Sequence, residues 1–146
     1  MRAVDHVVLA IIEVDGRYAL QWRDDKPGIA APGMWSLFGG AVEDDEATHD
    51  AILREIHEEL RIAGRRCDHV VSFDAPRRDW PPTRYSVFAV DLTAEWPSHT
   101  LTEGRAARVF EYEKIADLPV PPLVRAVLHV YHHRLSPDIV RDIAFD

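Results

Sequence analysis

A single cysteine, Cys67, stands in 146 residues. An internal disulfide and a cysteine-rich metal site are therefore excluded, the apolar core has to hold the fold, and a reducing compartment, the cytoplasm, is the expected setting. Long apolar runs are missing too: the longest near the start, residues 7–12, gives way to Glu13 and Asp15, too soon for a membrane span. That run is also too short for the apolar part of a secretory signal, and no small-residue cleavage site follows it. The sequence has no internal repeat, no low-complexity segment and no basic tract. With 25 acidic against 17 basic residues the net charge is -8, which repels a phosphate backbone at long range and argues against nucleic acid as a partner. A small phosphate-bearing substrate stays compatible with that charge, because a metal cation can reverse the local sign of a site.

What is present is 47% hydrophobic residues, enough for one core but not for two, so residues 1–146 are expected to form a single domain. Val4, Val7, Val8, Leu9, Ile11 and Ile12 precede Asp15-Gly16, and residues 18–23 follow it. Two apolar runs around Asp-Gly predict a hairpin, because glycine supplies the positive φ of a tight turn. Residues 24–36 carry Lys26-Pro27-Gly28 and Pro32-Gly33, a density of breakers that predicts a loop. The clearest helix runs from about Glu46 to Ile62, with Ile52, Ile56 and Leu60 as an apolar stripe beside Leu53 and Asp44 or Asp45 available as its N-cap. Residues 70–73 and 85–92 predict strands joined by the polar, proline-bearing residues 74–83, and a further strand is expected at 108–112. Pro121-Pro122 opens a second amphipathic helix with Leu123, Val124, Val127, Leu128 and Tyr131. Strands mixed with two helices give an α/β or α+β sandwich.

The chemistry is concentrated in the first helix. Glu55, Glu58 and Glu59 are spaced i, i+3, i+4 and, at about 100° per residue, project onto one face. Like charges at that spacing destabilise a helix by about 0.2–0.5 kcal/mol per pair, so the cluster needs either solvent or a cation. Carboxylate oxygens select hard ions such as magnesium, manganese or calcium. On helix statistics alone a solvated acidic face is the commoner explanation. The surroundings change that reading: Gly40, five residues, Glu46, seven residues, then Arg54-Glu55-Ile56-His57-Glu58-Glu59-Leu60-Arg61-Ile62.

This pattern resembles the Nudix box, G-x5-E-x7-R-E-U-x-E-E-x-G-U with U a bulky aliphatic residue, at every specified position except the last glycine, where Arg61 stands. Residues 35–40 look like the usual approach to the box, and Glu103-Gly104, Val109-Phe110 and the C-terminal helix resemble the family's closing half. The resemblance implies an α/β fold, an α/β/α sandwich around a central mixed sheet. It further implies a pyrophosphohydrolase that depends on Mg2+ or Mn2+ and cuts a diphosphate bond in a small nucleotide, such as a nucleoside triphosphate or a nucleotide sugar. Many relatives form dimers, so a homodimer is among the assemblies it implies.

Carried over residue by residue, Glu55, Glu58 and Glu59 would hold the metal, and Arg54 would pair with a box carboxylate and orient it. Glu46 would serve the structure more than the metal. Gly39 and Gly40 would let the backbone turn closely past the ion. A glutamate would take a proton from the attacking water, which typically contributes about 10²–10⁴-fold; Glu103 is the leading candidate outside the box. Arg61 leaves the carboxylates intact but changes the helix end, costing about 1 kcal/mol in the left-handed conformation or forcing a different termination.

Other residues carry weaker signals. Arg23 closes the second strand within reach of a substrate, and Arg77, Arg78 and Arg84 flank a connection that could cover one, although exposed arginines are commonplace. Trp22, Trp35 and Trp80 could stack a base, with core packing or loop anchoring equally expected. His129 and His133 have the spacing of a zinc pair but no third ligand motif, and are read as surface residues. Two rival functions are weaker. A Nudix-fold isopentenyl-diphosphate isomerase needs an upstream catalytic cysteine, and Cys67 follows the box. A non-catalytic nucleotide-binding regulatory module commonly has an eroded box, and here every glutamate is kept.

Overall fold

The apolar run at the start of the chain becomes the middle of a sheet. In the computed structural model, which describes residues 5–23, 33–77, 80–101 and 106–145, β1 (Asp5–Val14) pairs in parallel with β6 (Trp80–Asp91) along residues 5–13. Its other edge is shared by β4 (Phe38–Ala41), opposite residues 7–10, and β2 (Arg17–Arg23), opposite residues 12–14, both antiparallel. β3 (Met34–Ser36) and β7 (Ala106–Phe110) pair with β2, and β5 (Asp68–Arg77) pairs with β6. The result among the described residues is a mixed sheet in the order β3-β2-β1-β6-β5, with β4 set beside β1. Because β1 is covered on both faces, its sequence is continuously apolar instead of alternating. Val8, Ala10, Ile12 and Val14 pack toward α1 (Thr48–Leu60), and Leu9 and Ile11 toward α2 (Tyr112–Ile115), α3 (Pro122–His132) and α4 (Val140–Phe145). The expected sandwich is therefore observed.

The hairpin is formed as Asp-Gly predicts, with Asp15 at φ 53° and Gly16 at φ 76°, the double positive φ of the turn that matches strand twist. The apolar stripe of α1 is buried at Ile52, Ile56 and Leu60, and α3 starts at Pro122.

Three expectations need correcting. Met34–Ser36, placed in a loop by its breakers, is a short strand because the open edge of β2 offers it a partner. The polar residues 74–83 are largely strand: Asp74 lies opposite Arg84, and Arg77 opposite Trp80. Pro81 and Pro82 stand in β6 ahead of Thr83, which lies opposite Asp5 at the first described β1–β6 pair. Neither Asp44 nor Asp45 caps α1; the N-cap is Ala47, without a side-chain hydrogen bond.

At the other end of α1, Arg61 takes the left-handed conformation that glycine would favour, φ 60° and ψ 29°, with its N–H donating to His57 O at 2.9 Å. The helix end is thus kept and the strain accepted. Arg61→Gly is expected to raise unfolding stability by about 0.5–1 kcal/mol, the relief of a left-handed side chain less the extra unfolded-state entropy of glycine. Urea denaturation measures it, and no gain would mean that the arginine side chain makes up the strain elsewhere.

Candidate functional site

The site begins where β4 meets α1, and two glycines allow that meeting. Gly39 has φ 153°, and a Cβ there would run into the carbonyl oxygen of Val8 on the neighbouring strand. A Cβ on Gly40 would occupy the place of the Glu55 carboxylate. Strand and helix therefore touch through bare backbone: Gly39 N–H donates to Glu59 Oε1 at 3.1 Å. Glu59 is only 3% exposed, and a carboxylate so far from water is tolerated only when hydrogen-bonded or paired.

Arg54 organises the rest. Its Nε and Nη2 donate to the two oxygens of Glu46 at 2.8 and 2.9 Å, and Nη2 also donates to Ala41 O at 2.9 Å. Nη1 reaches Glu55 Oε1 at 3.0 Å and both oxygens of Glu58 at 3.4 Å. The fork-to-fork contact, strengthened by the Glu43 N–H donating to Glu46 at 3.0 Å, holds the Glu46 carboxyl at about 2 and pushes the guanidinium further up. Glu46 is accordingly the main partner of Arg54, and it ties the chain before α1 to the helix.

This pair has a pH signature. The folded value of Glu46 lies below its ordinary 4.5, so its contribution to stability is complete above pH 4.5 and is lost as pH falls toward 2. The difference in thermal midpoint between the parent protein and Glu46→Gln is expected to be constant near neutrality and to shrink over that acid window; a difference that persists at pH 2 would place the stabilisation elsewhere.

Glu55, Glu58 and Glu59 share one helix face as expected, but in three environments. The Glu55 side chain is 13% exposed, Glu58 is 54% exposed, and Glu59 is buried. Among the described residues no three metal-binding side chains are gathered into a cage. The donor set nevertheless fits a hard divalent ion, because magnesium keeps several waters and takes only one or two carboxylates together with substrate phosphates.

On the other side of the glycine pair lies a cleft of about 610 Å³, lined among others by Arg23, Ser36, Gly39, Gly40, Tyr85 and Leu123. Gly39 and Gly40 are thus a wall common to the cleft and the acidic face. Arg23, the last residue of β2, is part of that lining. Tyr85, stacked on Phe73 with ring centroids 5.7 Å apart, was missed, since one aromatic in a strand gives no sign of the face it takes. Gln21 was missed too: fully buried, its Nε2 donates to Leu37 O at 3.1 Å and steadies the approach to the glycines.

Arg84 does not cover the cleft; it lies within β6, its Nε donating to Asp74 Oδ1 across the ladder at 2.9 Å. Trp22 and Trp35 meet edge to face at 5.4 Å, and Trp35 packs on Phe110 at 5.0 Å, which is the packing alternative for both. Glu103, Arg78 and the side chains of Arg77 and Trp80 lie outside the described residues. No helix among the described residues is long and apolar enough to cross a membrane.

An acidic helix face thus backs onto a glycine pair that also lines a cleft in a mixed sheet. The NUDIX domain model matches residues 1–131, and the chain belongs to that family. It is 42% identical over 66 residues to the CTP pyrophosphohydrolase of Escherichia coli strain K12, a stretch covering 45% of this chain and 47% of that protein. Over 54 residues it is 46% identical to the nucleoside triphosphatase NudI of Escherichia fergusonii, covering 37% and 38%. The matched part therefore spans less than half the length of these curated relatives. Among solved structures, that of the E. coli ORF135 protein superposes with a TM-score of 0.70 at 27% identity, covering 89% of each chain.

Proposed function

We propose that this chain is a divalent-metal-dependent hydrolase that cuts a diphosphate bond in a nucleoside diphosphate linked to another moiety, with a nucleoside triphosphate as the favoured substrate. The observation that carries the reading is the glycine wall, which has the Glu55 and Glu59 carboxylates on one side and the cleft on the other. The printed activities of the two curated relatives, a CTP pyrophosphohydrolase and a nucleoside triphosphatase, support the choice of substrate.

Glu55, Glu58 and Glu59 are the residues that would hold Mg2+ or Mn2+. Such an ion, when bound, supplies neutralisation of phosphate charge and a more acidic water. The chain's own residues do the remaining work. Arg54 holds Glu55 and Glu58 through one guanidinium nitrogen while Glu46 anchors it through the other two. Gly39 and Gly40 admit the diphosphate close to the backbone, and Arg23 at the cleft wall attracts its negative charge. A carboxylate takes a proton from water as the water oxygen bonds to one phosphorus, and the bridging P–O bond breaks with its electrons leaving on the other phosphate. Glu58, Glu59 and Glu103 are the candidates for that base or for a further ligand. The cytoplasm is the compartment we assign, on the chain's single cysteine.

The test is a panel of nucleoside triphosphates, nucleotide sugars and dinucleoside polyphosphates incubated with the protein and magnesium, with products read by mass spectrometry. A nucleoside monophosphate with its complementary phosphorylated product is expected, and none without the metal. Ligand-dependent melting shifts with no product from any panel member would instead make the chain a binding module.

A further inference from the structure

The C-terminal turn of α3 carries a second set of potential ligands, well separated in chemistry from the acidic face. His129 and His133 lie one turn apart with ring centroids 4.6 Å from each other. The Nδ1 of each ring already has a protein partner. His133 Nδ1 donates to the carbonyl oxygen of His129 at 3.0 Å, a group that only accepts, so its tautomer is fixed with the lone pair on Nε2. His129 Nδ1 lies 3.3 Å from the Tyr112 hydroxyl, and when Nδ1–H donates to that oxygen the Nε2 lone pair is left open as well. Holding Nδ1–H on an oxygen is the support that metal-bound imidazoles generally have, because it orients the ring and raises the basicity of the other nitrogen.

Both rings border a cavity of about 670 Å³ that Tyr112, His132 and Glu113 also line. His132 is a wall there and not a ligand: its Nδ1 is bonded to the Tyr18 hydroxyl at 2.9 Å and its ring is stacked on Tyr112 at 3.9 Å. The position at the end of an eleven-residue helix adds the negative end of the helix dipole, which favours a cation. Since no three metal-binding side chains are gathered among the described residues, the arrangement is a two-imidazole chelate whose other positions are left to water.

We infer that His129 and His133 form a binding site for a nitrogen-preferring divalent ion, Zn2+, Ni2+ or Cu2+, independent of the oxygen-lined diphosphate site. Imidazole selects these ions over magnesium, so the two sites load separately. Bound there, the ion would bridge neighbouring side chains of the last turn of α3, with Tyr112 of α2 supporting one of them.

The test uses the full chain without an affinity tag, in excess magnesium, titrated with Zn2+ by calorimetry and with Cu2+ by electron paramagnetic resonance. One Zn2+ per chain is expected, together with Cu2+ spectra carrying nitrogen couplings. His129→Ala and His133→Ala should each weaken Zn2+ binding by about tenfold or more, and Glu58→Gln should leave it unchanged. His133 is exposed, so its variant reports binding even if His129→Ala fails to fold. Absence of binding in the parent, full binding in His133→Ala, or loss in Glu58→Gln would overturn the assignment, and none of these results depends on hydrolytic activity.

Discussion

Glu58→Gln is expected to melt with the parent protein and to lose roughly 10²–10⁴-fold of its hydrolytic rate. The two halves of that expectation have different grounds. The Glu58 side chain is more than half exposed and its contacts with Arg54 are long, 3.4 Å to each oxygen. An exposed pair of that kind contributes about 0–1 kcal/mol, so an amide of the same shape costs the fold little. The charge, in contrast, is what an ion and a proton need, and glutamine supplies neither a second anionic oxygen nor a base. Glu59→Gln should lose activity to a similar extent. Its amide oxygen can still accept from Gly39 N–H, but the buried NH2 now needs an acceptor, so a lower melting temperature is expected alongside. Thermal melts and steady-state rates over a magnesium series separate the two variants. A Glu58→Gln enzyme with near-parental turnover at saturating magnesium would remove Glu58 from the machinery.

That contrast could not be drawn from the sequence, although the cluster itself could. The spacing of Glu55, Glu58 and Glu59 needs only the pitch of a helix to place them on one face, and the apolar stripe at Ile52, Ile56 and Leu60 identifies the helix unaided. What sets the three glutamates apart is long-range: the Gly39 N–H that donates to Glu59 arrives from β4, twenty residues earlier. Arg54 was legible as the partner of a box carboxylate, yet its preference for Glu46 depends on the turn that brings residues 43–46 back over the helix. β3 was invisible for the same reason. Three residues between breakers have no periodicity of their own, and only the edge of β2 makes Met34–Ser36 a strand. The Asp15-Gly16 hairpin needed no such help, because the turn residues themselves impose the positive φ values.

Gly39→Ala and Gly40→Ala, one methyl each on adjacent residues, are expected to fail in different ways. At Gly39 the new Cβ meets the backbone oxygen of Val8, at a φ that L residues rarely adopt. A strand in register with its neighbour cannot retreat from its own ladder, since β4 and β1 pair from Val7 to Ala41 and from Ala10 to Phe38. Strain and overpacking together should cost about 3 kcal/mol or more, a large share of the roughly 5–15 kcal/mol that holds a domain of this size. At Gly40 the obstacle is the far end of the Glu55 side chain, which can rotate away. Gly40→Ala is therefore expected to stay folded while displacing a carboxylate from the site, so that the magnesium concentration giving half-maximal rate rises and turnover falls. Urea denaturation beside a magnesium titration reads both. Equal stability loss in the two variants would mean that β4 and α1 are not pressed together through the glycine wall, and an unchanged magnesium requirement in Gly40→Ala would mean that Glu55 does not face the ion.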